Sequence, residues 1–160
     1  MPWHRGPVRI CFVCLGNICR SPAAEAVFVH QAAAAGLDVT VDSAGTSRYH
    51  LGETPHDSTR AEAARRGIAI EHRARQFTAA DFDDFDLVVA MDAANRRDVL
   101  RLAPDAAAAA KVVMLDIDGH GIEVPDPWGQ PPAAYRHMFD LLEAACRGLV
   151  GRVAASSAQP

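Results

Sequence analysis

The chain has 160 residues, of which 49% are hydrophobic and 22% are charged. This length and composition are typical of one globular domain, and they exclude a disordered or fibrous protein. Sixteen lysines and arginines against twenty aspartates and glutamates give a net charge of −4, which argues against a protein that binds nucleic acid non-specifically. No apolar run approaches the roughly 18 residues that a membrane span needs, so we expect no membrane insertion.

The N-terminus and the cysteines both favour a cytoplasmic protein. The chain reaches polar Gly16 and Asn17 too soon to leave an apolar signal-peptide core with a cleavage site. Three of the four cysteines, Cys11, Cys14 and Cys19, lie within nine positions, and a domain of this size can bury its core without disulfides. We therefore expect a reducing compartment, in which the cysteines serve chemistry or packing.

Strand and helix signals alternate along the chain. The apolar run 8–13 predicts a strand covered on both faces, and Ser21 as N-cap with Pro22 as the first helical residue predicts a helix over 23–34. In order, the rest of the sequence predicts a strand at 38–42, a helix at 59–66, a strand at 85–91, a helix at 93–102, a strand at 111–115 and a helix at 133–153. This alternation favours an α/β fold in three layers, with a four-stranded parallel sheet and helices on both faces.

Two irregular stretches and the two ends of the chain fall between or outside these elements. Residues 43–59 and 116–132 are rich in glycine, proline and polar side chains, and long loops in a small domain often carry function. We expect residues 1–6 and 154–160 to be the flexible ends of one domain that spans the whole chain.

The segment 14–22, Cys-Leu-Gly-Asn-Ile-Cys-Arg-Ser-Pro, carries the strongest chemical signal. A nucleophile, five residues and then an arginine let the chain curl so that backbone N–H groups and the helix N-terminus cradle a phosphate-like oxyanion. Gly16 permits close backbone approach and unusual dihedrals, and Asn17 tolerates the left-handed region. Arg20 supplies a planar bidentate clamp for two oxygens of the anion. Its positive charge, together with the N–H dipoles of the loop and the helix N-terminus, favours an ionised, nucleophilic Cys14. The sequence thus predicts a phosphate-binding loop directly after the first strand, where ligands of parallel α/β folds bind.

A thiolate that attacks phosphorus needs a partner that protonates the leaving oxygen. Asp126 fits this role best, because Pro125 and Pro127 stiffen the backbone on both sides of it. Trp128 follows directly, and we expect it to form one wall of a slot for an aromatic ring.

The segment 14–22, with Asp126-Pro127 far downstream before a C-terminal helix, resembles the low-molecular-weight protein tyrosine phosphatases. Further matches are Asp-Ser-Ala-Gly-Thr at 42–46, His-Arg-Ala-Arg-Gln at 72–76, and Met91-Asp92 with Asn95. The resemblance therefore spans nearly the whole chain in family order.

The resemblance implies an enzyme that hydrolyses phosphotyrosine in proteins, and aryl phosphates, through a phosphocysteine on Cys14. Arg20 then binds the phosphate and stabilises the transition state. Asp126 acts first as general acid and afterwards as the base that activates water. Ser21 bonds to the Cys14 sulfur and eases its departure in the second step.

The resemblance also implies two sets of supporting residues. The substrate is bound and the pocket lined by Leu15, Gly16, Asn17, Ile18, Cys19, Ser21, Tyr49 and Trp128. Ser43 and His72, together with Asn17, hold the loop in shape. No metal and no cofactor are implied, and we expect a monomer whose partners are phosphotyrosine-containing proteins. Many relatives have Trp in place of Tyr49 and an aromatic pair where this chain has Trp128-Gly129, so we expect a mouth that is more open on one side.

Several alternatives stay open at this point. Cys19 is either a loop-filling residue or, as the resemblance suggests, the partner of Cys14 in a reversible disulfide. A redox enzyme like the thiol-dependent arsenate reductases would need two further cysteines on a later helix, but the sequence has none between Cys19 and Cys146. A non-catalytic phosphotyrosine-binding sensor would need no acid such as Asp126.

The remaining cysteines and charges are predicted to have structural or solvated positions. Cys11 and Cys146 are expected in the core. The expected solvated charges are Asp81, Asp83, Asp84 and Asp86 in one turn, and Arg60, Arg65 and Arg66 on one helix face.

Overall fold

The computed structural model describes residues 6–115 and 123–157. Four strands, β1 (Val8–Cys14), β2 (Val39–Gly45), β3 (Leu87–Ala90) and β4 (Val112–Met114), form one parallel sheet in the order β2-β1-β3-β4. The described residues also contain the helices α1 (Arg20–Ala34), α2 (Asp57–Arg65), α3 (Asp81–Asp84), α4 (Ala93–Leu100), α5 (Ala106–Ala109) and α6 (Pro132–Ser157). The predicted α/β fold with a four-stranded parallel sheet is confirmed.

Different helices cover the two faces of the sheet. Ile10 and Phe12 of β1 lie in a core with Phe28 of α1 and with the apolar face of α6. Cys11 and Val13 point to the opposite face and pack with residues of α3, α4 and α5. Because successive side chains of a strand point to opposite faces, an unbroken apolar run is what a central strand between two helical layers requires.

The parallel arrangement brings the carboxyl ends of three strands to one edge of the sheet. Cys14, the last residue of β1, is paired with Gly45, the last residue of β2. On the other side, Val13 is paired with Ala90, the last residue of β3. The loop 14–20 leaves β1 at this edge and enters α1, so it occupies the position where open α/β sheets bind their ligands.

The N-terminus of α1 differs from the prediction. The helix begins at Arg20, and its N-cap is Cys19, which makes no side-chain capping bond. The assignment of Ser21 as N-cap was wrong, because the Ser21 hydroxyl lies against the sulfur of Cys14 instead. The side chain of Ser21, which local sequence signals assign to the helix end, thus contacts Cys14 rather than a backbone N–H of the first helical turn.

Two other elements are longer than predicted. β2 continues past residue 42 to Gly45, because its pairing with β1 runs on to Cys14, so Ser43 lies in a strand rather than in a loop. α6 continues to Ser157, so residues 154–157 are helical and the prediction of a frayed tail from 154 was wrong for them. The other predicted end residues, 1–5 and 158–160, and part of the irregular stretch, 116–122, lie outside the described residues.

Three of the predicted solvated charges are paired inside the fold instead, and one of them, Asp86, accepts bonds from the backbone N–H and the guanidinium of Arg9. Asp81 is 5% exposed and accepts bonds from Arg75 and from the backbone N–H of Thr78. Arg66 joins α2 to α6 by contacting Glu62 and Asp140. The pairs Arg9–Asp86 and Arg66–Asp140 join segments that are 77 and 74 residues apart, which local charge patterns cannot indicate.

Two of the four cysteines lie in the core of the domain. Cys11 and Cys146 have no exposed surface, as predicted for core residues. Among the residues that the structure describes, no helix is both long enough and apolar enough to cross a membrane.

Candidate active site

The sulfur of Cys14 lies at the bottom of the loop 14–20 and receives two polar contacts. The backbone N–H of Asn17 donates to Sγ at 3.3 Å, and the hydroxyl of Ser21 lies 3.0 Å from it. The Ser21 oxygen itself accepts a bond from Asn17 Nδ2 at 2.8 Å. Its own hydrogen has two acceptors within reach, the sulfur at 3.0 Å and the carbonyl oxygen of Ala44 at 3.4 Å, and the sulfur is the nearer one. Both contacts stabilise negative charge on Cys14.

Asn17 organises the loop through its backbone and its side chain. It is the one described residue other than glycine with a positive φ, 58°, and it is only 1% exposed. Its Nδ2 also donates to Ser43 Oγ at 3.0 Å. Its Oδ1 accepts from the backbone N–H of Arg75 at 3.0 Å and lies 2.7 Å from His72 Nε2. The predicted network of Asn17, Ser43 and His72 is therefore assembled as a connected set of contacts.

A further carboxylate, Glu25 of α1, stands behind this network. Ser43 Oγ donates to Glu25 Oε1 at 2.7 Å. Burial raises the pKa of Glu25 to about 7, and burial also lowers the pKa of His72. The sequence analysis did not select Glu25; the available signal was an acidic residue on a helix face made otherwise of alanine, valine and phenylalanine.

The guanidinium of Arg20 is buried and held from several sides. Its NH1 lies 2.6 Å from Asp92 Oδ2 and 3.2 Å from the carbonyl oxygen of Val124, and its NH2 lies 3.6 Å from Asp126 Oδ2. Burial by itself lowers the pKa of Arg20, but Cys14, Asp92 and Asp126 together raise it, so the side chain stays charged. Asp92, which also caps α4, was not assigned this role from the sequence.

A pocket of about 380 Å³ opens over the sulfur. This volume lies within the range of small-molecule binding sites. The residues that line it are Cys14, Leu15, Gly16, Ile18, Cys19, Arg20, Tyr49, His50, Asp126 and Trp128. Of the predicted substrate-binding residues, only Asn17 and Ser21 do not line the pocket. Their side chains bond to each other instead.

The mouth of the pocket is apolar and open to solvent. Tyr49 is 75% exposed, Trp128 is 59% exposed and Leu15 is 40% exposed. Exposed aromatic side chains at a pocket mouth provide faces on which an aromatic ring can pack.

His50 is a wall residue that the sequence analysis missed. A Cβ on Gly16 would lie 2.9 Å from His50 Cδ2, so the predicted need for glycine at position 16 arises from close packing. The left-handed backbone is at Asn17 instead. His50 Nδ1 lies 2.7 Å from Glu53 Oε2, which fixes the orientation of the ring.

Asp126 stands at the mouth between Arg20 and Trp128. Its side chain is 46% exposed, and its Oδ1 accepts a bond from the backbone N–H of Trp128 at 3.1 Å. The segment that carries it is tied to the end of β3, where the N–H of Val124 donates to the carbonyl oxygen of Met91 at 2.9 Å. One carboxylate oxygen of Asp126 therefore faces the pocket while the carboxylate stays in contact with solvent.

Cys19 lies in the pocket wall. Like the other three cysteines, it is a free thiol. Its sulfur is 4.0 Å from the hydroxyl of Tyr135, and burial raises its pKa to about 11. The two alternatives for Cys19, a filling residue or the partner of Cys14 in a disulfide, both stay predictions.

Fold and pocket together define a class of α/β protein in which a cysteine thiol and an arginine lie at an anion-binding site between a strand end and a helix N-terminus. Comparison with known proteins agrees with this class. The model of the family "low molecular weight phosphotyrosine protein phosphatase" matches residues 9–159. The chain therefore belongs to this family.

Individual relatives are similar over nearly their whole length. A low molecular weight protein-tyrosine-phosphatase of Streptomyces coelicolor is 44% identical over 152 residues, which cover 91% of this chain and 93% of the relative. The crystal structure of a protein tyrosine phosphatase from Entamoeba histolytica matches with a TM-score of 0.87 and 34% identity, covering 92% of this chain and 97% of that one. The crystal structure of YfkJ from Bacillus subtilis matches with a TM-score of 0.86 and 34% identity, covering 95% and 98%.

The contacts of Asn17 generate the first prediction. Asn17→Ala removes a buried amide that bonds Ser21, Ser43 and the backbone of Arg75, and leaves several polar groups without partners. We expect the free energy of unfolding to fall by at least about 2 kcal/mol, and the inhibition constant of vanadate to rise about tenfold or more, equivalent to about 1.4 kcal/mol. Urea denaturation and steady-state inhibition measure the two effects.

Ser47→Ala is the matched control, because Ser47 Oγ donates to the carbonyl oxygen of Leu15 in the same loop but is exposed. It should change either quantity only slightly. Vanadate inhibition that is equal in Asn17→Ala and the parent would contradict the organising role of Asn17.

Proposed function

We propose that this chain hydrolyses phosphotyrosine in proteins through a phosphocysteine formed on Cys14. The observation that carries the proposal is the meeting, in one pocket, of the Cys14 sulfur, the Arg20 guanidinium and the Asp126 carboxylate. Membership of the phosphotyrosine protein phosphatase family supports the same reaction class.

Binding of the phosphate group comes first. The oxygens of a phosphate monoester are held by backbone N–H groups of the loop 14–20, by the N-terminus of α1 and by Arg20. Asp92 and the carbonyl oxygen of Val124 hold the Arg20 guanidinium before the substrate arrives. A clamp that is already oriented loses little freedom when the anion binds, which favours a geometry for in-line attack.

In the first chemical step, the sulfur of Cys14 forms a bond to phosphorus as the bond from phosphorus to the phenolic oxygen breaks. Asp126, protonated at this stage, gives its proton to the leaving oxygen. Its half-exposed position at the mouth lets it exchange protons with solvent between turnovers.

In the second step, water attacks phosphorus and the sulfur leaves as a thiolate. Asp126, now ionised, accepts a proton from that water. The Ser21 hydroxyl, 3.0 Å from the sulfur, stabilises the charge that returns to Cys14. The products are a free phenol and inorganic phosphate, and the enzyme returns to its starting state.

The aromatic mouth supports phosphotyrosine as the substrate class. Tyr49 and Trp128 are exposed aromatic residues of the pocket lining, and their faces suit the ring of a phosphorylated phenol whose phosphate lies in the loop. Trp128 is followed by a glycine, so we propose a slot that is open on one side.

We also propose that the enzyme is cytoplasmic and acts as a monomer. All four cysteines are free thiols, which suits a reducing compartment. Cys14, Arg20 and Asp126 of one chain meet in one pocket, which supports a reaction carried out by a single copy.

The first test of the function is hydrolysis of an aryl phosphate and a phosphotyrosine peptide in excess chelator. We expect the parent to be active and Cys14→Ser to lose at least roughly a thousandfold in kcat, because removal of a covalent nucleophile abolishes the main route. Cys146→Ala, which removes a fully buried thiol remote from the pocket, is the control and should stay active.

Comparable rates of hydrolysis in Cys14→Ser and the parent would contradict the assignment of Cys14 as the nucleophile. A freshly reduced parent that binds phosphotyrosine peptide without hydrolysing it would instead favour the non-catalytic sensor.

The role of Asp126 predicts a dependence on the leaving group. Asp126→Ala should lower kcat by about 10²-fold or more for phenols that leave slowly, since these need a proton, and much less for activated phenols. The measurement is a series of aryl phosphates with leaving groups of graded acidity. Asp98→Ala, at an exposed carboxylate of α4, is the control. An equal loss across the series would point to another acid.

A further inference from the structure

The chain that follows β2 runs beside the start of the loop 14–20. The backbone N–H of Thr46 donates to the carbonyl oxygen of Cys14 at 2.9 Å, and the backbone N–H of Ser47 donates to the carbonyl oxygen of Leu15 at 3.0 Å. The first two carbonyl groups of the loop therefore face this segment.

We propose that Gly45 is a positioning residue for the phosphate site. Its missing side chain lets residues 45–47, here called the tether, lie close enough to the loop to make these two bonds. The bonds in turn direct N–H groups of the loop toward the anion. Gly45 does not itself line the pocket. The proposal rests on the function proposed above only in taking the loop 14–20 as the phosphate site.

A side chain at position 45 would collide with the loop. An added Cβ would lie 2.8 Å from the carbonyl oxygen of Leu15, 3.2 Å from Cβ of Asn17 and 3.3 Å from the backbone N of Asn17. A carbon atom and a carbonyl oxygen in contact are normally about 3.3–3.6 Å apart. The nearest atom belongs to the backbone, so no flexible side chain can move aside. Gly45 is not among the glycines with a positive φ, so the position requires the absence of a side chain rather than an unusual backbone conformation.

The tether cannot easily move away from the loop to make room for a side chain. The N–H of Gly45 donates to the carbonyl oxygen of Arg75 at 2.8 Å, and the carbonyl oxygen of Gly45 accepts from the N–H of Phe77 at 2.7 Å. On its other side, Gly45 is paired with Cys14 of β1. Because this backbone is held on both sides, an added Cβ would displace the loop instead.

The two bonds of the tether set the direction of N–H groups as well as of carbonyl groups. A peptide unit is planar and trans, so its N–H points opposite to its C=O. The peptide units whose carbonyl oxygens bond to Thr46 and Ser47 carry the N–H groups of Leu15 and Gly16. These N–H groups therefore point away from the tether, and both residues line the pocket over Cys14.

This orientation favours an anion in the loop. N–H dipoles that converge on an oxyanion stabilise it, whereas a carbonyl oxygen that turned inward would repel it. The carbonyl oxygen of Ile18 is also bound from outside the loop, by the N–H of His56 at 2.8 Å. That bond does not involve the tether, so a change at Gly45 should act mainly on the N–H groups of Leu15 and Gly16.

The test compares the binding of inorganic phosphate to Gly45→Ala and to Gly151→Ala. Gly151 lies in α6 and is the matched control, because an added Cβ there would meet no atom within 4 Å. The dissociation constant is measured by NMR titration in excess chelator, below the melting temperature of each protein. We expect it to rise at least about tenfold in Gly45→Ala and to match the parent in Gly151→Ala.

The same titration separates positioning from a loss of stability. In the parent, phosphate should shift the backbone N–H signals of Leu15 and Gly16. At saturation these shifts should be smaller in folded Gly45→Ala, because the N–H groups no longer face the anion. A variant that had only lost stability would show the shifts of the parent in its folded fraction.

A second variant tests the tether without a steric clash. Lactic acid in place of Ser47 has the side chain of Ser47→Ala but an ester in place of the N–H that bonds to Leu15. Ser47→Ala is therefore its matched reference. We expect the ester variant to bind phosphate at least about threefold more weakly than Ser47→Ala, as the loss of one hydrogen bond predicts. This comparison decides the outcome if Gly45→Ala does not fold.

The proposal is overturned if folded Gly45→Ala binds phosphate as tightly as the parent, or if the ester variant binds it as tightly as Ser47→Ala. Phosphate binding requires no hydrolysis, so the two proposals fail independently. A parent that binds phosphate through Leu15 and Gly16 but does not hydrolyse phosphotyrosine would contradict the proposed function and support the role of the tether.

Discussion

The side chain of Asn17 is the constraint on which the loop depends. Its left-handed backbone turns the N–H toward the sulfur of Cys14, and its buried amide reaches Ser21, Ser43 and the backbone of Arg75. A non-glycine residue in this region of φ is strained, and the strain persists only where surrounding bonds hold it. Here those bonds come from α1, from β2 and from the segment that carries Arg75, so the shape of the loop depends on three separate parts of the chain.

A second set of contacts holds the positive charge of the pocket in place. Arg20 leaves the first turn of α1 and meets Asp92, at the end of β3, and the segment that carries Asp126. The strand order puts β1 between β2 and β3, so Asn17 is bound from one neighbour and Arg20 from the other. Sheet topology thus brings the Cys14 sulfur, the Arg20 guanidinium and the Asp126 carboxylate together, although Arg20 and Asp126 are far apart in the chain.

The features that were predicted correctly depend on residues that are close in the sequence. The features that were missed depend on contacts between distant segments. The strand, loop and helix around Cys14 follow from adjacent residues, and Asp126 was selected from its flanking prolines and then from the resemblance. Asp92 and His50 acquire their roles only when β3 and the segment after β2 reach the loop. The assignment of Ser21 as a cap was wrong for the same reason, since its hydroxyl has a better partner in the folded chain.

The most direct test of the proposal that a phosphocysteine forms on Cys14 is to trap this covalent intermediate. An acid quench during turnover of an aryl phosphate, followed by proteolysis and mass spectrometry, would locate any phosphorylated residue. We predict phosphate on the peptide that contains Cys14, and its loss in Cys14→Ser. Phosphate on another residue, or turnover by direct transfer to water with no phosphorylated peptide at any quench time, would contradict the mechanism.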